Sequence, residues 1–128
     1  MKIRIKGNSV RLRLTRTEVE TFCETGMYTE TTEFISQQFV YELRASAHIT
    51  GPQADFKDDK ITVLIPFEES KNWANDTTKV GFEGNYRLPS GESLYLLIEK
   101  DFVCLDDRDE DESDNYPNPL AIKNNTTN

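Results

Sequence analysis

The sequence is poor in the residue types that most often build metal or catalytic centres. It holds 1 histidine, 2 cysteines and 1 tryptophan among 128 residues. A zinc site needs three or four ligands at short spacings, and His48, Cys23 and Cys104 lie far apart in the chain. We therefore expect no zinc site, and we expect both cysteines to be reduced residues of the core.

Catalytic motifs and membrane segments are also absent from the sequence. It has no G-x-S-x-G, H-E-x-x-H, Walker A or G-x-G-x-x-G pattern. No apolar run approaches the roughly 18 residues that cross a bilayer. The opening MKIRIKGNSVRLRL alternates basic and apolar residues and lacks the apolar core of a secretory signal. We expect a cytoplasmic protein with no membrane partner, no catalytic residue and no bound cofactor, and we lean against an enzyme.

Charge is plentiful but unevenly distributed along the chain. The 15 Lys and Arg residues face 23 Asp and Glu residues, for a formal net charge of −8. Such a balance argues against a general nucleic-acid binder. Residues 1–16 nevertheless contain basic residues and no acid, whereas residues 106–114 form a dense acidic run. The two ends of the chain therefore carry opposite charge.

The first fourteen residues predict a β-hairpin with a defined register. Gly7-Asn8 suits a two-residue type II′ turn, because glycine is favoured at its first position. Lys6 then pairs with Ser9, and every apolar residue meets an apolar one. A loop of odd length would instead mix the two faces, so the pattern itself selects this register. The polar face carries Lys2, Arg4, Arg11 and Arg13.

A helix is predicted directly after the hairpin. Thr15 with Glu18 forms a capping box, and Leu14 with Val19 forms a hydrophobic staple. Gly26 is a typical helix stop. The helix should span about residues 16–25 and pack on the sheet.

The rest of the chain indicates an α+β fold dominated by strands. Strands are predicted near residues 29–35, 38–46, 60–66, 79–88 and 93–105, with a short second helix near 67–75 and loops around 51–52 and 58–60. Segments 60–66 and 94–98 are apolar on both faces, as central strands are, and we expect them to be neighbours. The predicted architecture is a predominantly antiparallel, curved sheet or partly closed barrel of six to eight strands. We expect a single domain over residues 1–119 that includes the acidic run, and a flexible tail over 120–128.

The acidic run has part of a calcium-loop pattern. Asp107, Asp109 and Asp111 have the D-x-D-x-D spacing with which an EF-hand loop begins. Position six of that loop should be glycine and is Glu112, and position twelve should be a bidentate glutamate and is Asn118. An ordinary EF-hand is therefore excluded. Three alternatives remain: a looser divalent-cation site, a plain solvated segment, and a segment that folds back on the basic hairpin.

The basic hairpin predicts the main recognition surface. Like charges that face each other across two strands are destabilising unless an anion covers them. We expect Arg4, Arg11 or Arg13 to contact Glu99, Asp101 or an acid of the C-terminal acidic run. Together with Lys2, these residues form the predicted ligand-binding set. Arginine presents a planar fork that suits phosphate or carboxylate.

Three segments of the chain resemble those of a known but uncharacterised family. KIRIKGNSVRLRLT at the start, LLIEKDFVCL further on and RDEDESDNYPNP near the end are similar to an uncharacterised family of short bacterial proteins of about this length. The resemblance implies a bacterial, cytoplasmic protein of one domain and brings no activity or site residue with it. Basic residues along strands are also similar to those of triphosphate-tunnel enzymes, but that family's E-x-E-x-K opening is missing from Met1 to Lys6.

Two functions from different classes follow from these features. The first is a non-catalytic binding or interaction module that uses the basic hairpin face and the acidic segment to meet an unknown protein partner, or a second copy of itself. The second is an enzyme or binding protein for a small anionic or metal-linked ligand. The second function requires a concave pocket in which basic residues converge with an acid or His48, whereas a flat charged surface favours the first.

Overall fold

The computed structural model describes residues 1–102 and 112–118. The elements in chain order are β1 (Lys2–Lys6), β2 (Ser9–Leu14), α1 (Arg16–Thr25), β3 (Met27–Glu33), β4 (Gln38–Ser46), β5 (Gln53–Lys57), β6 (Lys60–Pro66), α2 (Phe67–Ser70), a 3₁₀ helix (Trp73–Asn75), β7 (Gly81–Arg87) and β8 (Ser93–Lys100). The mixed α+β class with strands in the majority is thus confirmed.

Across the described residues the strands form two four-stranded sheets and no closed barrel. The first sheet has the order β1-β2-β8-β7 and the second has the order β3-β4-β6-β5. Each sheet consists of two antiparallel hairpins joined by one parallel pair, β2 with β8 or β4 with β6. The first sheet therefore unites the beginning of the chain with residues 81–100.

The first hairpin has the predicted register in every pair. Lys6 lies opposite Ser9, and the pairing continues to Lys2 opposite Arg13. Gly7 has φ 54°, which a side chain would disfavour and glycine accepts. The alternation of β2 then places Val10, Leu12 and Leu14 in the core. Its arginines consequently point to the opposite side of the sheet.

Helix α1 has the predicted start and stop. The Thr15 backbone N–H donates to Glu18 Oε1 at 2.8 Å, which is one half of the capping box. Gly26 has φ 82°, and its N–H donates to the Phe22 carbonyl at 2.7 Å. Val19 and Phe22 are the buried face of the helix. The capping box and Gly26 therefore set the two ends of α1, and Val19 and Phe22 pack it against the core.

The core contains side chains from both sheets and from α1. Trp73 is fully buried and packs edge-on against Phe22 and Phe82, with ring centroids 6.3 Å and 5.2 Å apart. Its indole N–H donates to the Lys79 carbonyl at 3.1 Å, so the polar atom is satisfied. The 3₁₀ helix therefore brings the segment before β7 close to α1.

Several predicted boundaries and one predicted pairing are wrong. Strand β6 pairs with β4 and β5, whereas β8 pairs with β2 and β7, so the two doubly apolar segments are in different sheets. An apolar pattern on both faces identifies a central strand but does not identify its neighbour. The predicted helix near 67–75 is split into α2 and the 3₁₀ helix.

One strand was not predicted from the sequence, and others begin or end at residues other than those predicted. Strand β5 was not predicted, because QADFK is short and half polar. Its hairpin with β6 turns at Asp58 and Asp59, both at positive φ. Strand β3 begins at Met27 and ends before Phe34, and β7 spans 81–87 instead of 79–88. Strand β8 ends at Lys100, short of the predicted 105. Residues 103–111 and the expected tail at 120–128 lie outside the described residues.

Candidate functional site

The basic face is the side of β1 and β2 that points away from the core, formed by Lys2, Arg4, Lys6, Arg11 and Arg13. The hairpin register places Lys2 opposite Arg13 and Arg4 opposite Arg11. Next to β2, the same side of β8 carries Leu97 opposite Arg11 and Glu99 opposite Arg13. The predicted basic residues are therefore brought together on one surface.

Two carboxylates contact one side of the basic face. Arg13 Nε donates to Glu99 Oε1 at 3.0 Å, which confirms the prediction that one of the arginines meets Glu99 or Asp101. Lys2 Nζ lies 3.1 Å from Asp101 Oδ2, and Asp101 is only 3% exposed. Backbone bonds hold Asp101 in place, because its N–H donates to the Leu14 carbonyl and its carbonyl accepts from Tyr116. Glu99 and Asp101 thus neutralise the Lys2–Arg13 row.

The other side of the basic face is formed by Arg4, Lys6 and Arg11. In residues 1–102 and 112–118, no carboxylate forms an ion pair with any of the three. Arg4 and Arg11 both line two depressions of about 310 and 260 Å³. Two guanidinium groups opposed on neighbouring strands favour an anion between them.

The predicted metal ligands are not part of this surface as described. Asp107, Asp109 and Asp111 lie outside the described residues. Among those that are described, no group of three or more His, Cys, Asp or Glu side chains is placed to hold a metal ion. His48 is exposed in the turn after β4, with φ 66°. A divalent cation remains an expectation from the sequence alone.

Glu42 forms a second charged cluster, on the outer side of the second sheet. Glu42 is only 2% exposed. Its carboxylate accepts a hydrogen bond from Thr29 Oγ1 at 2.8 Å and forms ion pairs with Arg44 at 2.8 Å and with Lys60 at 3.0 Å. Burial by itself would raise the pKa of Glu42, but these hydrogen bonds and charges outweigh it and hold the pKa below its ordinary value. Glu42 is not among the functional residues predicted from the sequence.

An apolar cleft of about 560 Å³ lies at the turn between β3 and β4 and beside β5. Phe34, Ile35 and Phe56 line it, and their side chains are largely exposed. Exposed apolar groups of this size are typical of contact surfaces. This cleft belongs to the second sheet and is separate from the basic face.

A larger cavity lies where β8 ends, and sequence reasoning did not find it. Its volume is about 640 Å³, and we call it the Lys100 cavity after its most buried charged residue. One signal was available: Lys100 continues the inward-facing series Leu94, Leu96 and Ile98 at every second residue. Tyr116 forms one wall, where it pairs with Phe102. The other lining residues come from distant parts of the chain.

Comparison with known proteins yields one match. A family model matches residues 1–120, and the family it describes has no known function. No curated protein and no solved structure matches the chain. Of the helices in the described part of the chain, none has the length and apolar character needed to cross a membrane.

Proposed function

The chain belongs to DUF7009, a family of unknown function, and we propose its function from the site itself. It is a non-catalytic binding module, and its basic face binds an acidic segment of a protein partner. The observation that carries this proposal is the opposed pair Arg4 and Arg11, which has no carboxylate partner among the described residues. The neighbouring strands hold guanidinium groups at fixed distances from one another. An extended peptide with several acidic side chains can contact more than one of them.

The shape of the surface supports a protein partner over a small substrate. The depressions on the basic face are small, at about 310 and 260 Å³. Small-molecule sites are concave, enclose most of the ligand and combine apolar walls with a few polar groups. A sheet face with exposed arginines instead suits a partner that lies across it. Leu97, half-buried beside Arg11, adds an apolar contact at the centre.

The surface carries a cost in stability that binding would remove. Arg4 and Arg11 repel each other in the unbound protein, by about 0.5 kcal/mol for directly opposed like charges. A carboxylate of the partner that lies between Arg4 and Arg11 attracts both guanidinium groups. A surface charge pair contributes about 0.5 kcal/mol, so two of them change affinity by about fivefold. The effect should weaken with salt, because exposed charges are screened.

The double variant Arg4→Gln/Arg11→Gln tests this proposal. The probe is a synthetic decapeptide with the sequence of residues 105–114, LDDRDEDESD, which supplies a dense acidic segment. We expect the variant to bind the peptide about fivefold more weakly at low salt and to unfold at slightly higher temperature. Fluorescence anisotropy and thermal denaturation provide the two measurements.

Arg87→Gln is the matched control for this experiment. Arg87 is exposed on β7, at the far edge of the same sheet, and lies opposite Ser93. Its removal changes the net charge by one unit but leaves the basic face intact, so peptide affinity should barely change. A loss of binding free energy in Arg87→Gln that reaches half of the loss in the double variant would refute the proposal, because binding would then follow net charge alone.

A further inference from the structure

The Lys100 cavity lies apart from the basic face and has the composition of a small-molecule site. Its volume of about 640 Å³ falls within the usual range for ligand pockets. Apolar and polar groups both line it, and the chain contributes them from α1, from the segment around the 3₁₀ helix, from the end of β8 and from residues 116–117. The lining includes Lys100, Arg16, Lys79, Glu20, Phe102 and Tyr116.

Lys100 is a buried cation with few partners. It is 4% exposed, and its Nζ donates to the Asp76 carbonyl at 2.8 Å. An ammonium group has three donors, and no carboxylate within residues 1–102 or 112–118 forms an ion pair with it. The nearby Asp76 carboxylate accepts instead from the Thr78 hydroxyl and backbone N–H. Burial lowers the pKa of Lys100, and the charge of Asp76 counteracts only part of that change.

Among the described residues, two further cations and one acid line the cavity. The Arg16 guanidinium lies 5.3 Å from the centre of the Tyr116 ring, and Lys79 Nζ lies 4.6 Å from that of Phe82. Glu20 is the acid that lines the cavity with them. A cavity with this excess of positive charge attracts an anion, and a buried ammonium is stabilised when the anion supplies the missing partner.

Aromatic rings form the apolar part of the cavity. The Phe102 and Tyr116 rings have centroids 6.0 Å apart and are tilted by 57°. Lys100 Nζ lies 4.8 Å from the centre of the Tyr116 ring, so the charged group and the aromatic wall are adjacent. A ligand with a flat apolar body could therefore contact the rings while its charged group reaches the ammonium.

We propose that the Lys100 cavity binds a small organic oxyanion, a carboxylate or phosphate attached to a flat apolar ring. Lys100 holds the oxyanion with its remaining donors, and Arg16 and Lys79 supply further positive charge at the cavity mouth. Phe102 and Tyr116 cover the ring. This site goes beyond the proposed peptide-binding function, because it uses different residues and a different class of ligand.

Calorimetric titration of the full chain with four probes tests the proposal. The probes are benzoate, phenyl phosphate, benzyl alcohol and inorganic phosphate. We expect benzoate or phenyl phosphate to bind, and which of the two binds more tightly identifies the oxyanion. Benzyl alcohol lacks the charge and inorganic phosphate lacks the ring, so each should bind at least about tenfold more weakly than the better aromatic oxyanion.

Three variants and one control locate the binding. Lys100→Met should lower the affinity for the aromatic oxyanion by about tenfold or more, because a hydrogen bond from a charged group is lost. Arg16→Gln and Lys79→Gln change side chains that are less buried, so the fold is retained, and each should weaken binding several-fold. Lys57→Gln, on exposed β5 of the other sheet, should leave binding unchanged.

Two outcomes would overturn the proposal. One is the absence of binding by both aromatic oxyanions at about 5 mM. The other is equal affinity in the unaltered chain, Arg16→Gln and Lys79→Gln, which holds whether or not Lys100→Met folds. Arg4→Gln/Arg11→Gln should bind these probes normally, so failure at this cavity is distinguishable from failure of the basic face.

Discussion

Two buried charges, Glu42 and Lys100, have opposite environments. Glu42 is surrounded by three hydrogen-bonding partners, two of them cationic. Lys100 has one carbonyl acceptor and an aromatic ring. A buried charge is costly unless it is paired and hydrogen-bonded, so Glu42 fits a structural role. Within residues 1–102 and 112–118, no carboxylate pairs with Lys100 as burial normally demands, which is why we place a ligand there.

Glu42→Gln should destabilise the protein by about 2 kcal/mol at neutral pH. The amide cannot pair with Lys60 and Arg44 as a carboxylate does, although both cations are exposed enough to turn toward water. Urea denaturation at pH 7 measures the change. Glu24→Gln, an exposed glutamate on α1, is the control and should stay within about 0.5 kcal/mol of the unaltered chain.

The stability difference between the unaltered chain and Glu42→Gln should depend on pH. The pKa of Glu42 in the folded protein lies below the ordinary value of 4.5, so the unfolded chain binds the proton more readily. The stabilisation by Glu42 is therefore fully present above pH 4.5 and is lost as the pH falls below it through the folded pKa. Urea titrations from pH 7 down to about pH 3 follow this loss. A gap that stays constant over this range would contradict the assignment.

At the scale of elements, β7 approaches the backbone of β8 too closely at Gly81 for a side chain to fit. Gly81 lies opposite Glu99, and a Cβ at Gly81 would fall 2.0 Å from the Ile98 carbonyl oxygen. Backbone cannot yield as a flexible side chain does, so only glycine fits here. The close approach lets β7 begin beside the end of β8, next to the Lys100 cavity, where the Lys100 N–H donates to the Val80 carbonyl at 3.0 Å.

Gly81→Ala should therefore destabilise the protein by about 2 to 3 kcal/mol, as overpacking against backbone does. Thermal and urea denaturation would both show the loss. Gly51→Ala is the matched control, because a Cβ there meets no atom within 4 Å. If the two variants unfold alike, the pairing of β7 with β8 at this position is incorrect.

The elements differ in how well the sequence predicts them, and the difference is physical. The first hairpin and α1 are specified by neighbours in sequence, through a two-residue turn and a capping box, and both are confirmed. The pairing of β6 joins segments whose patterns are equally apolar, and composition does not distinguish one central partner from another. Strand β5 was missed because its identity depends on pairing with β6.

The same distinction applies to the sites. Alternation along β1 and β2 predicts the basic face, because one hairpin supplies all five cations. The Lys100 cavity is assembled from four separate parts of the chain. The one sequence signal for it was the position of Lys100 in the alternation of β8, on the side that faces inward. The predicted Lys2, Arg4, Arg11 and Arg13 are therefore found together, whereas Arg16 and Lys79 were not predicted.

The whole molecule combines a negative net charge with a local basic surface. With a net charge of −8 it should repel acidic segments at long range. Screening reduces that repulsion over about 8 Å at physiological salt, which leaves local contacts to decide binding. The basic face should consequently hold an acidic partner through local contacts and release it at high salt.

The most direct test of the basic face is an NMR titration of the ¹⁵N-labelled chain with the acidic decapeptide LDDRDEDESD. The proposed function predicts that amide shifts concentrate in residues 2–6 and 9–13 and disappear in about 0.5 M NaCl. The amides that line the Lys100 cavity should stay unchanged. Shifts confined to that cavity or spread evenly over both sheets, or no shift at all, would contradict it.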